Sequence, residues 1–177
     1  LILQSPIAQD NLWALSKIDQ SKPLDRQVRQ SLILLVMHEE FFVAYSAIAA
    51  VSKVHLESGE FQWQLINTYP DVQNRLKKEV LKKLKVAPFI SPKVTEKTRG
   101  MLADLNGVEL GYMLELYNEH GIKDMETVAS IASLMKGENS FVSRKAFDFL
   151  TGIEQLDEDI ANDLKRYADQ LQDQESR

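Results

Sequence analysis

The chain has 177 residues, of which 44% are hydrophobic and 27% charged, and its formal net charge at pH 7 is −5. These values exclude a wholly disordered chain, and a chain of this length can bury a core without disulfides or metals. Cysteine is absent, which excludes a disulfide framework, a thiolate metal site and a cysteine nucleophile. Seven glycines and five prolines are too few for a turn-rich β-sandwich, so the composition favours an all-α protein.

The first two predicted elements are helices of very different length. The first runs over 6–15 and ends before the proline-containing segment 21–23. The second extends over 23–58, and its centre is apolar on nearly every side, which is typical of a buried central helix. Because about 35 residues exceed the usual length of a helix, we expect a kink near His38 or Tyr45.

The rest of the chain predicts further helices separated by glycine or proline turns, over 60–69, 70–86, 93–106, 109–120, 124–136, 141–150 and 153–172. The segment from Ala87 to Pro92 contains two prolines and cannot continue a helix, which makes it the best candidate for a linker. We therefore expect a single all-helical domain over 1–177, with lobes 1–87 and 92–177 joined by that linker. Its architecture would be a compact bundle of about eight or nine helices around the long central one.

Charge is spread unevenly along the chain. Residues 1–70 carry 5 basic and 7 acidic side chains, residues 71–99 carry 9 and 3, and residues 100–177 carry 7 and 16. The beginning of the sequence lacks the basic and apolar regions of a signal peptide, and the apolar run 41–52 is too short to span a bilayer. We expect a cytoplasmic protein with no transmembrane segment.

The predicted helix 70–86 concentrates its positive charge on one face. Four cations fall within about 80° of one another, opposite an apolar stripe; we call them the basic ridge, which consists of Arg75, Lys78, Lys82 and Lys85. A basic amphipathic helix suits an acidic protein, nucleic acid or an anionic membrane, while a solvated face is the alternative without a partner. The acidic chain and the lack of aromatic side chains among these cations disfavour nucleic acid and membrane. We hypothesise a protein partner with an acidic surface.

An alternative function comes from the segment 109–150. Two short helices, a four-residue turn and a helix with a Ser-Arg-Lys run resemble a bacterial helix-turn-helix domain. The resemblance implies DNA contacts by Ser140, Ser143, Arg144 and Lys145. Against it, residues 104–150 hold 8 acidic and 4 basic side chains, and no β-wing follows.

A third interpretation, a helical enzyme, concerns His38 and Glu40. On a helix, Glu40 shares its direction with six apolar side chains, so we expect it to be buried and hydrogen-bonded. A buried carboxylate of this kind is typical either of a hydrogen bond or ion pair with a later helix, or of an acid–base or metal site. The spacing of histidines and glutamates matches neither a di-iron bundle nor a zinc motif, and no phosphate-binding loop or nucleophile elbow is present. We expect no catalysis, no metal and no cofactor.

The last predicted helix carries an apolar seam at spacings of three and four residues, made of Ile153, Leu156, Ile160, Leu164, Tyr167 and Leu171. Such a seam either docks on the body of the protein or pairs with a second copy. We expect a homodimer, formed through this helix or through the apolar segment 32–54. The sequence thus predicts a non-catalytic regulatory or protein-interaction domain, with the helix-turn-helix and enzyme interpretations as alternatives.

Overall fold

The computed structural model describes residues 2–175, with side chains as far as Gln172. Within this range the chain has ten α-helices and no strand, which confirms the predicted all-α class. The chain divides into two compact units, with the boundary after Lys97. The predicted linker, residues 87–92, lies inside the first of these units.

The first unit is built around α3. Its α-helices are α1 (Ala8–Leu15), α2 (Arg26–Val36), α3 (Phe41–Ala50), α4 (Gly59–Asn67) and α5 (Asn74–Lys85), and α6 (Pro92–Met101) crosses the boundary. Helices α1, α2 and α5 all pack against α3. The core of this unit is made of aliphatic and aromatic side chains that are almost fully buried, among them Leu32, Val36, Val43, Ala47, Phe61, Leu65, Leu76, Val80 and Leu84.

The single long helix predicted over 23–58 is wrong. In its place are α2, α3 and a 3₁₀ turn at His55–Glu57, separated by two non-helical breaks. Neither break contains glycine or proline, the residues that most often interrupt a helix. Each break is stabilised by a nearby histidine side chain and by a polar side chain from the distant α5 or the residue that precedes it.

The first break, between α2 and α3, lies where a kink was expected. The backbone of Glu40 is extended, with φ −72° and ψ 116°. Its N–H donates to Nδ1 of His38 over 3.0 Å. Nε2 of Gln73 donates to the carbonyl oxygens of His38 and Glu39, at 2.9 and 3.0 Å. Three of the backbone groups at the break are therefore satisfied by side chains rather than by helical hydrogen bonds.

The second break follows α3. The N–H of Ser52 donates to Nδ1 of the buried His55 over 3.1 Å. The ammonium group of Lys83 donates to the carbonyl oxygens of Ala49 and Val51, at 2.9 and 2.8 Å. Lysine is a favourable partner there because the last carbonyls of a helix are unpaired and carry partial negative charge. Since α5 reaches one end of α3 through Gln73 and the other through Lys83, the two helices run side by side in the same direction.

One buried amide holds the proline-containing segment against the first unit. Gln62 is fully buried, and its Nε2 donates to the carbonyl oxygens of Leu56 and Phe89, at 2.7 and 2.8 Å. Its Oε1 accepts the N–H of Ser91 at 2.9 Å. The Gln62 side chain itself is fully buried, so leaving any of these bonds unmade would be costly. Residues 87–92 are thus tied to α4 rather than free.

The second unit contains α7 (Gly107–Glu119), α8 (Met125–Leu134), α9 (Ser140–Leu150) and α10 (Glu158–Glu175). The side chains of Asn106, Asp124 and Asn139 cap the starts of α7, α8 and α9 by accepting backbone N–H groups. Helix α7 ends at Glu119 and is followed by Gly121, whose φ of +61° suits glycine. The N–H of Ile122 donates back to the carbonyl of Tyr117 over 2.9 Å. Helix α9 packs on α7 and α8, and α10 contacts α8 and α9.

Tyr117 is the largest fully buried side chain in the structure. Its hydroxyl donates to Oγ1 of Thr98 over 3.0 Å. Burial disfavours the charged phenolate and raises the pKa of Tyr117 to about 12, although the hydrogen bond to Thr98 opposes this shift. The second unit therefore has a closed core of its own.

Candidate functional site

The basic ridge lies on a helix whose other face is fully used for packing. Leu76, Val80, Leu81 and Leu84 of α5 are all buried, at 1% exposure or less. The helix begins at Asn74 rather than at Pro70, because residues 70–73 form a turn in which Gln73 reaches the first break. The apolar stripe predicted from the sequence is thus the docking face, and the ridge points the opposite way.

The side chains of the ridge are accessible to a partner. Arg75, Lys78 and Lys82 are exposed, and Lys85 is half-buried. Lys82 pairs with Glu79 over 3.0 Å, whereas among the described residues neither Arg75 nor Lys78 makes an ion pair. Because Glu79 is the only acidic residue in α5, the exposed face keeps an excess of positive charge.

Two neighbouring lysines of α5 serve the fold instead. Lys83 lies partly buried against the end of α3, and burial lowers its pKa while the nearby Glu79 carboxylate opposes that shift. The ammonium group of Lys77 lies 5.3 Å from the centre of the Tyr69 ring. The helix therefore separates cations that hold the structure from those of the basic ridge.

The residues proposed to contact DNA do not form one accessible surface. Ser143 is buried at 2% exposure, and its Oγ donates to the carbonyl oxygens of Leu134 and Gly137, at 3.1 and 3.2 Å. The carbonyl of Leu134, the last residue of α8, also accepts the N–H of Gly137 at 3.2 Å. The expectation that Ser143 approaches DNA is wrong, because its hydroxyl closes the turn between α8 and α9.

Of the other residues proposed to contact DNA, Arg144 pairs with a carboxylate and Lys145 lies over an aromatic ring. Nε of Arg144 pairs with Asp148 at 3.0 Å, and the ammonium group of Lys145 lies 5.7 Å from the ring centre of Phe141. Ser140 and Arg144 line a cavity of about 600 Å³ between α9 and α10. The positive charges that line this cavity are largely neutralised. Besides the pair of Arg144 with Asp148, Lys136 pairs with Asp163 on the cavity wall at 2.8 Å. Such a surface has little excess charge for phosphate.

The expected burial of Glu40 is wrong, and it makes no contact with His38 through its carboxylate. Glu40 is exposed because the break before α3 removes it from the apolar face of a continuous helix. The half-buried ring of His38 accepts the backbone N–H of Glu40, so its Nδ1 is already occupied. This pair offers no acid–base geometry, and Glu40→Gln should change the free energy of unfolding by less than about 0.5 kcal/mol.

Two surfaces of the first unit were not located from the sequence, which named the whole segment 32–54 as an alternative dimer interface but not the exposed face within it. One is a groove of about 490 Å³ beside α1, lined by Leu3, Trp13, Ile18, Leu24 and Val28, among others. Trp13 is 55% exposed at this groove. The other is the outward face of α3, where Phe42 is 70% exposed. Lys17, Asp19, Lys22 and Asp25 also line the groove. The exposed side chains named for both surfaces are apolar, and in a sequence these cannot be told from core residues.

No protein-family model, curated protein or solved structure matches the chain. In residues 2–175 no three His, Asp or Glu side chains are grouped so that they could hold a metal ion. Nor is any described helix both long enough and apolar enough to cross a membrane. The function must therefore be argued from the surfaces themselves.

Proposed function

We propose that this chain is a non-catalytic, cytoplasmic protein-interaction domain that contacts the acidic surface of a protein partner through the basic ridge of α5. The observation that supports the proposal is that α5 uses different side chains for packing and for exposure. Its apolar face and Lys83 contact the rest of the first unit, whereas Arg75, Lys78 and Lys82 are exposed. Cations with no role in packing are expected to serve solubility or recognition.

Rigidity supports recognition over simple solubility. Helix α5 is anchored at its start by Gln73 and near its end by Lys83, and its buried face contacts α3 and α4. Cations on a fixed helix lose less conformational freedom on binding than cations on a mobile loop. The ridge therefore presents a preformed row of positive charge to a complementary surface.

The test compares two charge-reversed variants that have the same net charge. The ridge variant changes Arg75, Lys78, Lys82 and Lys85 to Glu. The control changes four exposed cations elsewhere on the chain, Arg26, Lys93, Lys123 and Lys165, to Glu. Binding of a fluorescent oligoglutamate peptide is measured by anisotropy at low and at physiological salt. Circular dichroism confirms that both variants stay folded, as expected for surface changes.

The expected result is that the wild-type protein and the control bind the peptide, that salt weakens binding, and that the ridge variant loses at least about tenfold in affinity. An equal loss in both variants would mean that only net charge matters, and the ridge would then be no site. A parallel titration with duplex DNA separates the alternative: tighter, ridge-independent binding of DNA would favour the helix-turn-helix interpretation.

A further inference from the structure

The outward face of α3 carries an apolar stripe that the fold leaves uncovered. Phe42 is 70% exposed and Tyr45 is 45% exposed, and the next side chain on this face, the exposed Ala49, is small. The spacings of three and four residues place the three on one side of the helix. The ring of Phe41 meets Phe42 edge to face at 5.5 Å and stacks on Tyr45 at 6.1 Å, so the aromatic end is a packed cluster.

The two ends of this stripe carry opposite charge. Glu39 and Glu40 lie exposed immediately before α3, and Lys53 lies exposed just after it. Among the described residues these three side chains make no ion pair. The stripe is thus acidic beside its large aromatic side chains and basic beside its small residue.

We infer that the stripe of α3 pairs with the same stripe of a second copy, the two helices running antiparallel about a two-fold axis. An antiparallel arrangement centred between Tyr45 and Ser46 places Phe42 opposite Ala49 of the second copy. The large side chain of each copy then meets the small side chain of the other, and Glu39 and Glu40 of one copy lie near Lys53 of the other. A two-fold interface requires a patch that is complementary to itself, in shape and in charge.

The small area of the contact sets its strength. A helix of ten residues is about 15 Å long, so one pair of helices buries less than a standard specific interface. The dimer is therefore a weak one, with a dissociation constant on the order of 10 μM. The inference does not rest on the basic ridge, which lies on α5.

Analytical ultracentrifugation over a range of concentrations around that value tests the pairing. The wild-type mass rises with concentration from 20.2 kDa towards twice that value. Phe42→Glu weakens association at least about tenfold, because it removes the large side chain that meets Ala49 of the second copy and places a charge in the apolar contact. Val108→Glu introduces the same charge at another exposed apolar residue, at 59% exposure, and leaves association unchanged.

Reversing the charges at the two ends of the stripe in separate variants, and then mixing the variants, tests the antiparallel arrangement directly. The double variant Glu39→Lys/Glu40→Lys and the single variant Lys53→Glu each place like charges at both ends of the interface, so each alone is more monomeric than the wild type. An equimolar mixture of the two restores opposite charges at both ends and associates again. Neither variant alters the core, and circular dichroism verifies that each is folded.

Three results would overturn the inference. The first is a wild-type mass that stays at 20.2 kDa at every concentration. The second is a dimer unaffected by Phe42→Glu, which would place the interface elsewhere, such as the seam of α10. The third is failure of the mixture to associate while the wild type does. A monomeric wild type that binds an oligolysine peptide through this face would show that a basic partner covers it instead.

Discussion

Helices α5 and α10 have the same kind of amphipathic sequence, yet the structure uses them very differently. On α5 the apolar side chains Leu76, Val80, Leu81 and Leu84 are all buried. On α10 the apolar side chains, including Leu164, Tyr167 and Leu171, are only half-buried. A helical period therefore predicts that a face will be covered, but it does not predict how completely.

The difference follows from what surrounds each helix. α5 packs against α3 and α4 and is tied to the breaks around α3 by Gln73 and Lys83. α10 rests on α8 and α9 through a ring contact of 5.2 Å between Phe147 and Tyr167 and an ion pair of 2.8 Å between Lys136 and Asp163. Helix α5 is therefore part of the core of the first unit, whereas α10 lies on the surface of α8 and α9.

Replacing one leucine of each helix by alanine tests this difference between α5 and α10. Leu84→Ala empties a fully buried position, and we expect the free energy of unfolding to fall by about 2–5 kcal/mol. Leu164→Ala removes a half-buried side chain of α10 and should cost less than about 1 kcal/mol. Urea denaturation measures both values. Equal losses would mean that α10 is as much a part of the core as α5.

The second prediction asks whether the core beneath α10 is closed. The pKa of Tyr117 is raised to about 12, so its neutral form is favoured in the folded state. Its contribution to stability is present below the unfolded-state pKa of about 10 and is lost as the pH rises towards about 12. Tyr117→Phe should cost about 1.5 kcal/mol at neutral pH.

An ultraviolet titration of phenolate formation checks this directly. The wild type should show a late-ionising component that Tyr117→Phe lacks. If the two titration curves coincide, solvent reaches Tyr117 and the second unit is more open than the structure indicates.

The third prediction concerns the hydrogen bonds by which Lys83 of α5 contacts the end of α3. Lys83→Met keeps an apolar stem but removes both hydrogen bonds to the end of α3, and we expect a loss of about 1 kcal/mol. Lys78→Met is the matched control, because Lys78 is exposed and belongs to the ridge; it should change stability by less than about 0.5 kcal/mol. Similar urea midpoints for the two variants would contradict a structural role for Lys83.

The smallest effect is expected at the edge of α10. Hydrogen bonding to Lys136 is the main cause that lowers the pKa of the Asp163 carboxyl, with the charges of Lys136 and Arg166 assisting. A lowered pKa stabilises the fold above the usual aspartate pKa of about 3.9, and this contribution disappears as the pH falls through the lowered value. Asp163→Asn should therefore shift the urea midpoint slightly at neutral pH and not at all in strong acid.

Salt provides the control for that variant. The ion pairs of Asp163 lie at the surface, so added salt should reduce the difference between wild type and Asp163→Asn. A difference that persists in strong acid or high salt would show that the asparagine disturbs packing rather than charge.

Much of the secondary structure was predictable, because its signals are local. Proline opens α6 at Pro92, Asp124 caps α8, and Gly121 ends α7, and each acts within a few residues of its own position. The two faces of α5 followed from the helical period alone. The position of the ridge cations on the outside of the fold could therefore be read from the sequence, although their partner could not.

The candidate site residues that proved wrong were misplaced by distant contacts. Glu40 is exposed because a break precedes α3, and Ser143 is buried because α8 ends beside it. The break before α3 contains no glycine or proline, and its carbonyl groups are satisfied by the distant Gln73. The uncovered stripe of α3 could not be located from the sequence for a different reason. Its aromatic side chains belong to a segment with the composition of a core.

The sequence by itself determined that this chain is all-helical, where most helices begin and end, and which face of α5 is basic. Only the tertiary structure decided that the apolar segment 32–54 is two helices rather than one. His38 and His55 satisfy one backbone N–H group at each break locally, but the partners of the freed carbonyls, Gln73 and Lys83, lie more than 30 residues further along the chain. A helix can end without glycine or proline when side chains brought close by folding replace the backbone hydrogen bonds that it gives up.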